Sequence, residues 1–167
     1  VKILLQPISA QNAYLYLDKV YSRINHNGHC RYAQAISSGI PQVEFNDLPR
    51  DVTKKTHLVD KSGQLYLEQI LCPPVNLCVF GAGVDARPVV NFAVNLGWRV
   101  TLVDPRTSHG RRQYFDGVQQ IIKQPMKSLV ENAHELTWLK ETDAIIIMSH
   151  NLSIDAQAVL LSAKSKA

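Results

Sequence analysis

Three cysteines in 167 residues cannot all pair within one chain, and no CxxC or histidine-rich spacing accompanies them. That excludes a disulfide-stapled scaffold and leaves no metal-ligand set to propose. Cys72 and Cys78 flank Pro73-Pro74, whose stiff extended geometry holds them about 20 Å apart, too far for a bridge. Cys78 lies in an apolar run and is expected to pack as a small hydrophobe, with Cys30 and Cys72 reduced and incidental. Long apolar runs are missing too. The longest, Ala144 to Met148, is strand-sized, where a bilayer span needs about 20 residues, so no membrane partner is expected. The opening VKILLQP lacks the basic, apolar, small-residue order of a secretory leader, which points to a cytoplasmic location.

An excess of one charge is absent as well: 18 basic against 14 acidic residues give a net charge of only +4. The basic residues are dispersed, at Lys54-Lys55, Arg111-Arg112, Lys164 and Lys166, rather than gathered on one helix or interleaved with aromatics. A nucleic-acid partner is therefore not expected, and the charge supports only a weak preference for anionic small molecules. What is present is apolar mass. With 46% hydrophobic residues the chain is neither disordered nor collagenous, and its length suits one domain or two small ones.

The Pro-Pro pair divides two textures, giving an expected first region over 1–75 and a second over 76–167. The first reads as strand Lys2–Leu5 and a helix from Gln11 to Ile24 with Tyr14, Leu17, Val20 or Tyr21 and Ile24 on one face. A strand over Arg31–Ile36 follows, then a polar connection from Ser37 to Thr53. Leu58-Val59 and Leu65–Ile70, joined by Asp60-Lys61-Ser62-Gly63, form a predicted hairpin. This is a small, incomplete α+β region.

The second region alternates. Val75–Phe80 is an apolar strand, Asp85–Leu96 a helix, Arg99–Val103 a strand, Val118–Ile122 a third strand and Lys127–Leu139 a helix. Ala144–Met148 is predicted as a fully buried strand and Ile154–Lys164 as a last helix. Apolar strands separated by helices are what a parallel sheet covered on both faces requires. The expectation is an α/β, Rossmann-like, doubly wound parallel sheet.

Directly after the first of these strands stands Gly81-Ala82-Gly83-Val84-Asp85-Ala86, a G-x-G-x-x-A motif. Gly81 permits the tight turn, Gly83 lets a pyrophosphate approach the backbone, and Ala86 lets the helix pack close to the sheet. The helix start then offers free N–H groups to an anion. Asp104 ends the second strand, 21 residues beyond Gly83, where a carboxylate can accept hydrogen bonds from ribose hydroxyls. Strand, motif, helix, strand and acid arrive in order, which suits NAD(P).

Asp85 complicates that reading, because a carboxylate at the helix N-terminus suits the dipole but repels pyrophosphate. It can act as an N-cap or accept hydrogen bonds from a neutral, nitrogen-rich ring such as a pterin. Pro105-Arg106 places a guanidinium near the ribose end, where it can take an extra phosphate. His150, within Ser149-His150-Asn151, follows the last apolar strand and so faces the same rim as Gly81 and Asp104. The alternative is that Ser149 and Asn151 cap the last helix, with Asp155 closing the arrangement, and His150 is an ordinary loop histidine. His109, Arg111 and Arg112 either contact phosphate or lie on a solvated loop. No triad, nucleophile elbow or metal set is visible, and no catalytic residue is assigned.

FGAGVDARPVVNFAVNLGWRVTLVDPR followed by DAIIIMSHN resembles the XdhC/CoxI family of accessory proteins for xanthine dehydrogenase and related molybdenum hydroxylases. The family's GAG-x-DA, LGW-x-V-x-x-x-DPR and M-T/S-H-D patterns are matched at Gly81–Ala86, Leu96–Arg106 and Met148–Asn151, with Val84 in place of a frequent His and Asn151 in place of Asp. The resemblance implies a maturation factor that binds molybdenum cofactor (molybdopterin), as a pterin-dinucleotide or pterin-phosphate in the crevice, protects it while its sulfido ligand is installed, and delivers it to the hydroxylase apo-enzyme. A cysteine desulfurase is a further candidate partner, and homodimerisation stays open. Gly81, Gly83, Asp85, Ala86, Asp104, Arg106 and His150 are the implied cofactor-binding positions, with NAD(P) as the alternative ligand. Measured against the family pattern, the chain is expected to be a fragment at both ends.

Overall fold

Two consecutive prolines interrupt the backbone at 73 and 74, and the fold divides there into units Val1–Pro73 and Pro74–Ala167. The structure, a computed structural model, describes residues 5–36, 41–44 and 56–167.

In the first unit α1 (Leu17–Asn25) lies against a four-stranded antiparallel sheet in the order β2-β1-β4-β3. The strands are β1 (Cys30–Ala35), β2 (Gln42–Glu44), β3 (Thr56–Lys61) and β4 (Gln64–Leu71). Val20, Cys30 and Tyr32 form a small core with Ile24, Val43 and Leu71. The β3–β4 hairpin falls where the sequence places it: Ser62 and Gly63 both take positive φ, and the Asp60 carboxylate accepts from the Gly63 N–H at 2.9 Å. The predicted helix Gln11–Ile24 is corrected. Ala13 to Tyr16 have φ of 50–56°, so the regular helix begins only at Leu17. The Leu15 carbonyl in this stretch accepts from the Tyr32 hydroxyl at 3.1 Å, tying it to β1. The predicted apolar face is corrected with it, since Val20 is buried while Tyr14, Leu17 and Tyr21 are exposed. Strand β2 lies inside the stretch read as a connection; apart from Pro41 and β2 itself, Ser37–Thr53 falls outside the described residues. Lys2 to Leu4 fall outside them too.

The second unit is a parallel sheet in the order β7-β6-β5-β8, built from β5 (Asn76–Phe80), β6 (Arg99–Val103), β7 (Gln120–Ile122) and β8 (Ala144–Ile147). Alternate residues of β5 enter two cores. Leu77 and Val79 pack with Val100, Leu102 and with Ala86, Val90 and Ala93 of α2 (Ala86–Asn95). Cys78 and Phe80 pack with Val103, Leu129, Leu139 and with Ala158 and Leu161 of α5 (Leu152–Ser162). Both faces are thus covered, as the continuous apolar runs require, and each fully buried Leu, Val or Phe contributes about 1.5–3 kcal/mol. This is the doubly wound α/β architecture.

Two elements of this unit depart from the sequence reading. The helix expected over Lys127–Leu139 is broken into α3 (Met126–Glu131), a 3-10 turn (Ala133–Glu135) and α4 (Thr137–Glu141). The break comes at Asn132, whose backbone N–H (3.1 Å) and side-chain amide (2.9 Å) both donate to the Ser128 carbonyl while its φ of −102° and ψ of 20° leave the helical region. Strand β8, expected to be fully buried, is only partly buried along its length and stands at an edge of the described sheet. Among the described residues no helix is long and apolar enough to cross a membrane.

Candidate functional site

The strand order reverses at β5: the chain leaves it toward β6 on one side and returns to it as β8 on the other. In an open parallel sheet the crevice at such a reversal, beyond the strand carboxyl ends, is where ligands bind. Three loops meet there: Gly81–Asp85 after β5, Asp104–Arg106 after β6, and Met148–Asn151 after β8.

Gly81 is required by contact as well as conformation. Its φ is +110°, and a Cβ built on it would lie 2.6 Å from both the Met148 carbonyl oxygen and the Ser149 Cα. Its N–H donates to the Val103 carbonyl at 2.9 Å, and the Met148 N–H donates to the Phe80 carbonyl at 2.8 Å. The glycine turn is therefore clamped between β6 and β8.

Asp104 is fully buried, and all its hydrogen bonds are internal. Its Oδ2 accepts from the Ala82 N–H at 2.8 Å and the Arg106 Nη2 at 2.7 Å. Its Oδ1 accepts from the Arg106 N–H at 3.0 Å and Nε at 2.9 Å. Burial by itself pushes this carboxyl up, but the Arg106 guanidinium and the two N–H groups outweigh it and hold Asp104 below the usual carboxylate range. Arg106, in turn, is held protonated by the same pair. The sequence places a ribose acceptor here; the structure places a carboxylate whose four acceptor positions are filled.

Asp85 sits just before α2 but makes no side-chain cap. Its Oδ2 instead meets the Nε2 of His150 at 2.5 Å, joining the β5–α2 and β8–α5 loops. That hydrogen bond holds the Asp85 carboxyl below its ordinary range. His150 has φ of +55°, a left-handed conformation that is uncommon outside glycine. Its neighbours fix it. Ser149 is buried and gives both its N–H (3.2 Å) and its hydroxyl (2.5 Å) to Asp155 Oδ1. The Asn151 side chain accepts from the Ile154 N–H at 3.1 Å and caps α5. Asn151→Ala should cost about 1 kcal/mol in urea unfolding, with Asn151→Asp close to wild type.

Two further groups lie on this rim. Arg87, in the first turn of α2, stacks its guanidinium on Tyr114 at 3.9 Å from the ring centre, and its buried Nε has no hydrogen-bond partner. Its signal in the sequence is its position directly after the glycine motif, where a first-turn cation faces any anion on the loop. Arg111 and Arg112 are exposed, and His109 meets the Ser108 hydroxyl at 3.0 Å. Among the described residues no group of three or more His, Cys, Asp or Glu is arranged to hold a metal ion. The three cysteines are free, and burial pushes the Cys78 thiol up, away from reactivity.

A four-stranded parallel sheet, helices on both faces and a glycine turn at the reversal point define a Rossmann-like domain. Residues 77–167 match the sequence family described as the XdhC Rossmann domain, and the chain belongs to that family. The fold is also similar to a crystal structure of a xanthine dehydrogenase from Bacillus halodurans, at 18% identity and a TM-score of 0.71. The superposition covers 93% of this chain and 50% of that one, so the present chain spans half the length of its structural relative. A comparison with curated proteins finds no match.

Proposed function

We propose that this chain is the cofactor-holding part of an accessory factor that binds molybdenum cofactor and delivers it to a molybdenum hydroxylase of the xanthine dehydrogenase type. The observation that carries the reading, beside family membership, is the saturated Asp104. A dinucleotide site uses that carboxylate for ribose hydroxyls, and here Ala82 and Arg106 already occupy it.

The residues present fit a compact ring bearing N–H donors and a phosphate better than an extended dinucleotide. Asp85 and Asp155 supply acceptors, while Arg87, with an orphaned buried Nε, and the outer edge of Arg106 supply donors. Gly81 keeps the turn free of a side chain, Gly83 leaves room for the Asp85 carboxylate, and Ala86 keeps α2 close to the sheet. When bound, the cofactor would supply the oxo-transfer and redox chemistry of the recipient enzyme; the work of these residues is to bind, orient and shield it. The hydroxylase apo-enzyme and a cysteine desulfurase are the partners this role calls for.

The test is a ligand comparison on the full chain. Thermal-shift and calorimetric titrations should show stabilisation by molybdopterin exceeding that by NAD or NADP. Ligand at about 100 times its dissociation constant adds roughly 2.7 kcal/mol, which is readily measured. A large shift with NAD(P) and none with molybdopterin would reverse the assignment in favour of a nicotinamide-nucleotide sensor or oxidoreductase domain.

A further inference from the structure

We infer that Asp85 and His150 form a gate over the glycine loop that turns away pyrophosphate-containing ligands, with Asp85 the specificity-determining residue and His150 the residue that positions it.

Without these two side chains the loop would be an anion site. A glycine turn running into the N-terminus of a ten-residue helix presents N–H groups to an anion. In this loop the Ala82 N–H is already taken by Asp104, and the Asp85 carboxylate stands at the helix entrance. Gly83 makes room for that carboxylate: a Cβ there would lie 2.5 Å from Asp85 Oδ1. The bare α-carbon thus accommodates a protein carboxylate in the space that the motif offers to a phosphate in dinucleotide-binding domains.

His150 comes from the other side of the crevice. Its left-handed backbone is strained for a non-glycine residue, and Ser149, Asp155 and Asn151 hold it in place. The result is one contact across the strand-order reversal. Yet the pair itself is weak, because the His150 side chain is 74% and the Asp85 side chain 38% exposed. A structural staple would be buried. A strained residue held in position for an exposed, weak contact fits a gate that parts at low cost and fixes which charge a ligand meets. The charged groups around it are the carboxylates of Asp85, Asp104 and Asp155 against Arg106, Arg87 and His150, with Arg106 paired to Asp104 and the Arg87 guanidinium stacked on Tyr114. A pyrophosphate on the loop would therefore meet the Asp85 carboxylate where the motif otherwise offers helix N–H groups. The ligand side of this inference rests on the reading of the crevice as a cofactor site; the gate itself rests on the geometry.

The experiment compares the full chain with Asp85→Ser, Asp85→Asn and His150→Gln, using ADP-ribose and inorganic pyrophosphate as calorimetric probes. Wild type should bind both weakly, and Asp85→Ser should bind ADP-ribose at least tenfold more tightly. Asp85→Asn, which keeps the shape and removes the charge, should gain part of that. His150→Gln should gain nothing, because the carboxylate remains. In a carbon-13 titration of the Asp85 carboxyl, His150→Gln should move its pKa upward toward the ordinary range. Tight ADP-ribose binding by wild type, no gain in either folded Asp85 variant, or an unmoved Asp85 titration would each overturn the gate. Failure of molybdopterin to bind would overturn the proposed function while leaving this comparison intact, since neither probe is a pterin.

Discussion

Replacing Gly81 with alanine should cost at least about 3 kcal/mol, a value in the range where a single named mechanism must be at work. Two effects add. A φ of +110° is strained for any residue with a Cβ, on the order of 1–3 kcal/mol. The new methyl would also lie 2.6 Å from the Met148 carbonyl oxygen and the Ser149 Cα, and both are backbone. Backbone cannot swing aside, so β8 must be displaced from β5 or the turn from β6. Either move disturbs the ladder from Leu77↔Ala144 to Phe80↔Ile147. Gly97→Ala is the control, because Gly97 also has positive φ (+75°) but a Cβ there meets nothing within 4 Å. Its cost should be the conformational strain alone, about 1 kcal/mol. Both tryptophans of the chain, Trp98 and Trp138, lie in the second unit and pack against its two separate cores. Urea unfolding followed by their fluorescence reads the effect directly. If Gly81→Ala costs no more than Gly97→Ala, the clamp between β6 and β8 is not what fixes this glycine.

The parts of the fold that were legible in the sequence are those specified by local signals. VNLCVF and RVTLV are apolar runs of strand length, and GAGVDA between the first of them and a helical stripe is turn chemistry with one geometric meaning. The DKSG hairpin was legible for the same reason. What escaped was decided by competition or by distance. Asn132 ends α3 by leaving the helical region, and nothing in the periodicity of Lys127–Leu139 warns of it. Strand β2 has three residues, too few to show an alternation, and it exists because β1 offers it an edge. The all-apolar Ala144–Ile147 reads as interior, yet the described sheet places it at an edge.

The rim was legible as an address and not as an arrangement. That Asp104, Asp85 and His150 share one end of the sheet follows from each closing or following a parallel strand. That Asp85 pairs with His150, 65 positions away, follows from how two loops meet, which no spacing encodes. Asp104 and Arg106 are only two residues apart, but the fork of hydrogen bonds between them depends on the turn at Pro105 folding the guanidinium back. The motif thus identified the domain, while the use of its acid had to come from the structure.

That pair yields the second large effect. Arg106→Ala should destabilise the second unit by about 3 kcal/mol at neutral pH, because it leaves Asp104 fully buried with only the N–H groups of Ala82 and residue 106 for partners. Asp104→Ala should cost less, about 2 kcal/mol. The guanidinium it strands is 30% exposed and can turn to water, leaving the Ala82 N–H as the buried orphan. The order matters: the cation's loss is the worse of the two, the reverse of what a ribose-binding acid on a free rim would give. The pH dependence fixes the cause. In wild type the Asp104 pKa is depressed, so its stabilisation is present above the unfolded carboxyl range and is lost as pH falls through the folded value. In Arg106→Ala the burial effect is no longer outweighed by the guanidinium, and the carboxyl moves upward. The variant's deficit should therefore be widest near pH 7 and narrow steadily toward pH 4, as the buried acid takes up its proton. Urea unfolding of the three proteins at pH 7, 5.5 and 4 checks both statements. A deficit for Arg106→Ala that stays constant across that range would mean the side chain acts by packing, and that Asp104 is free to serve a ligand after all.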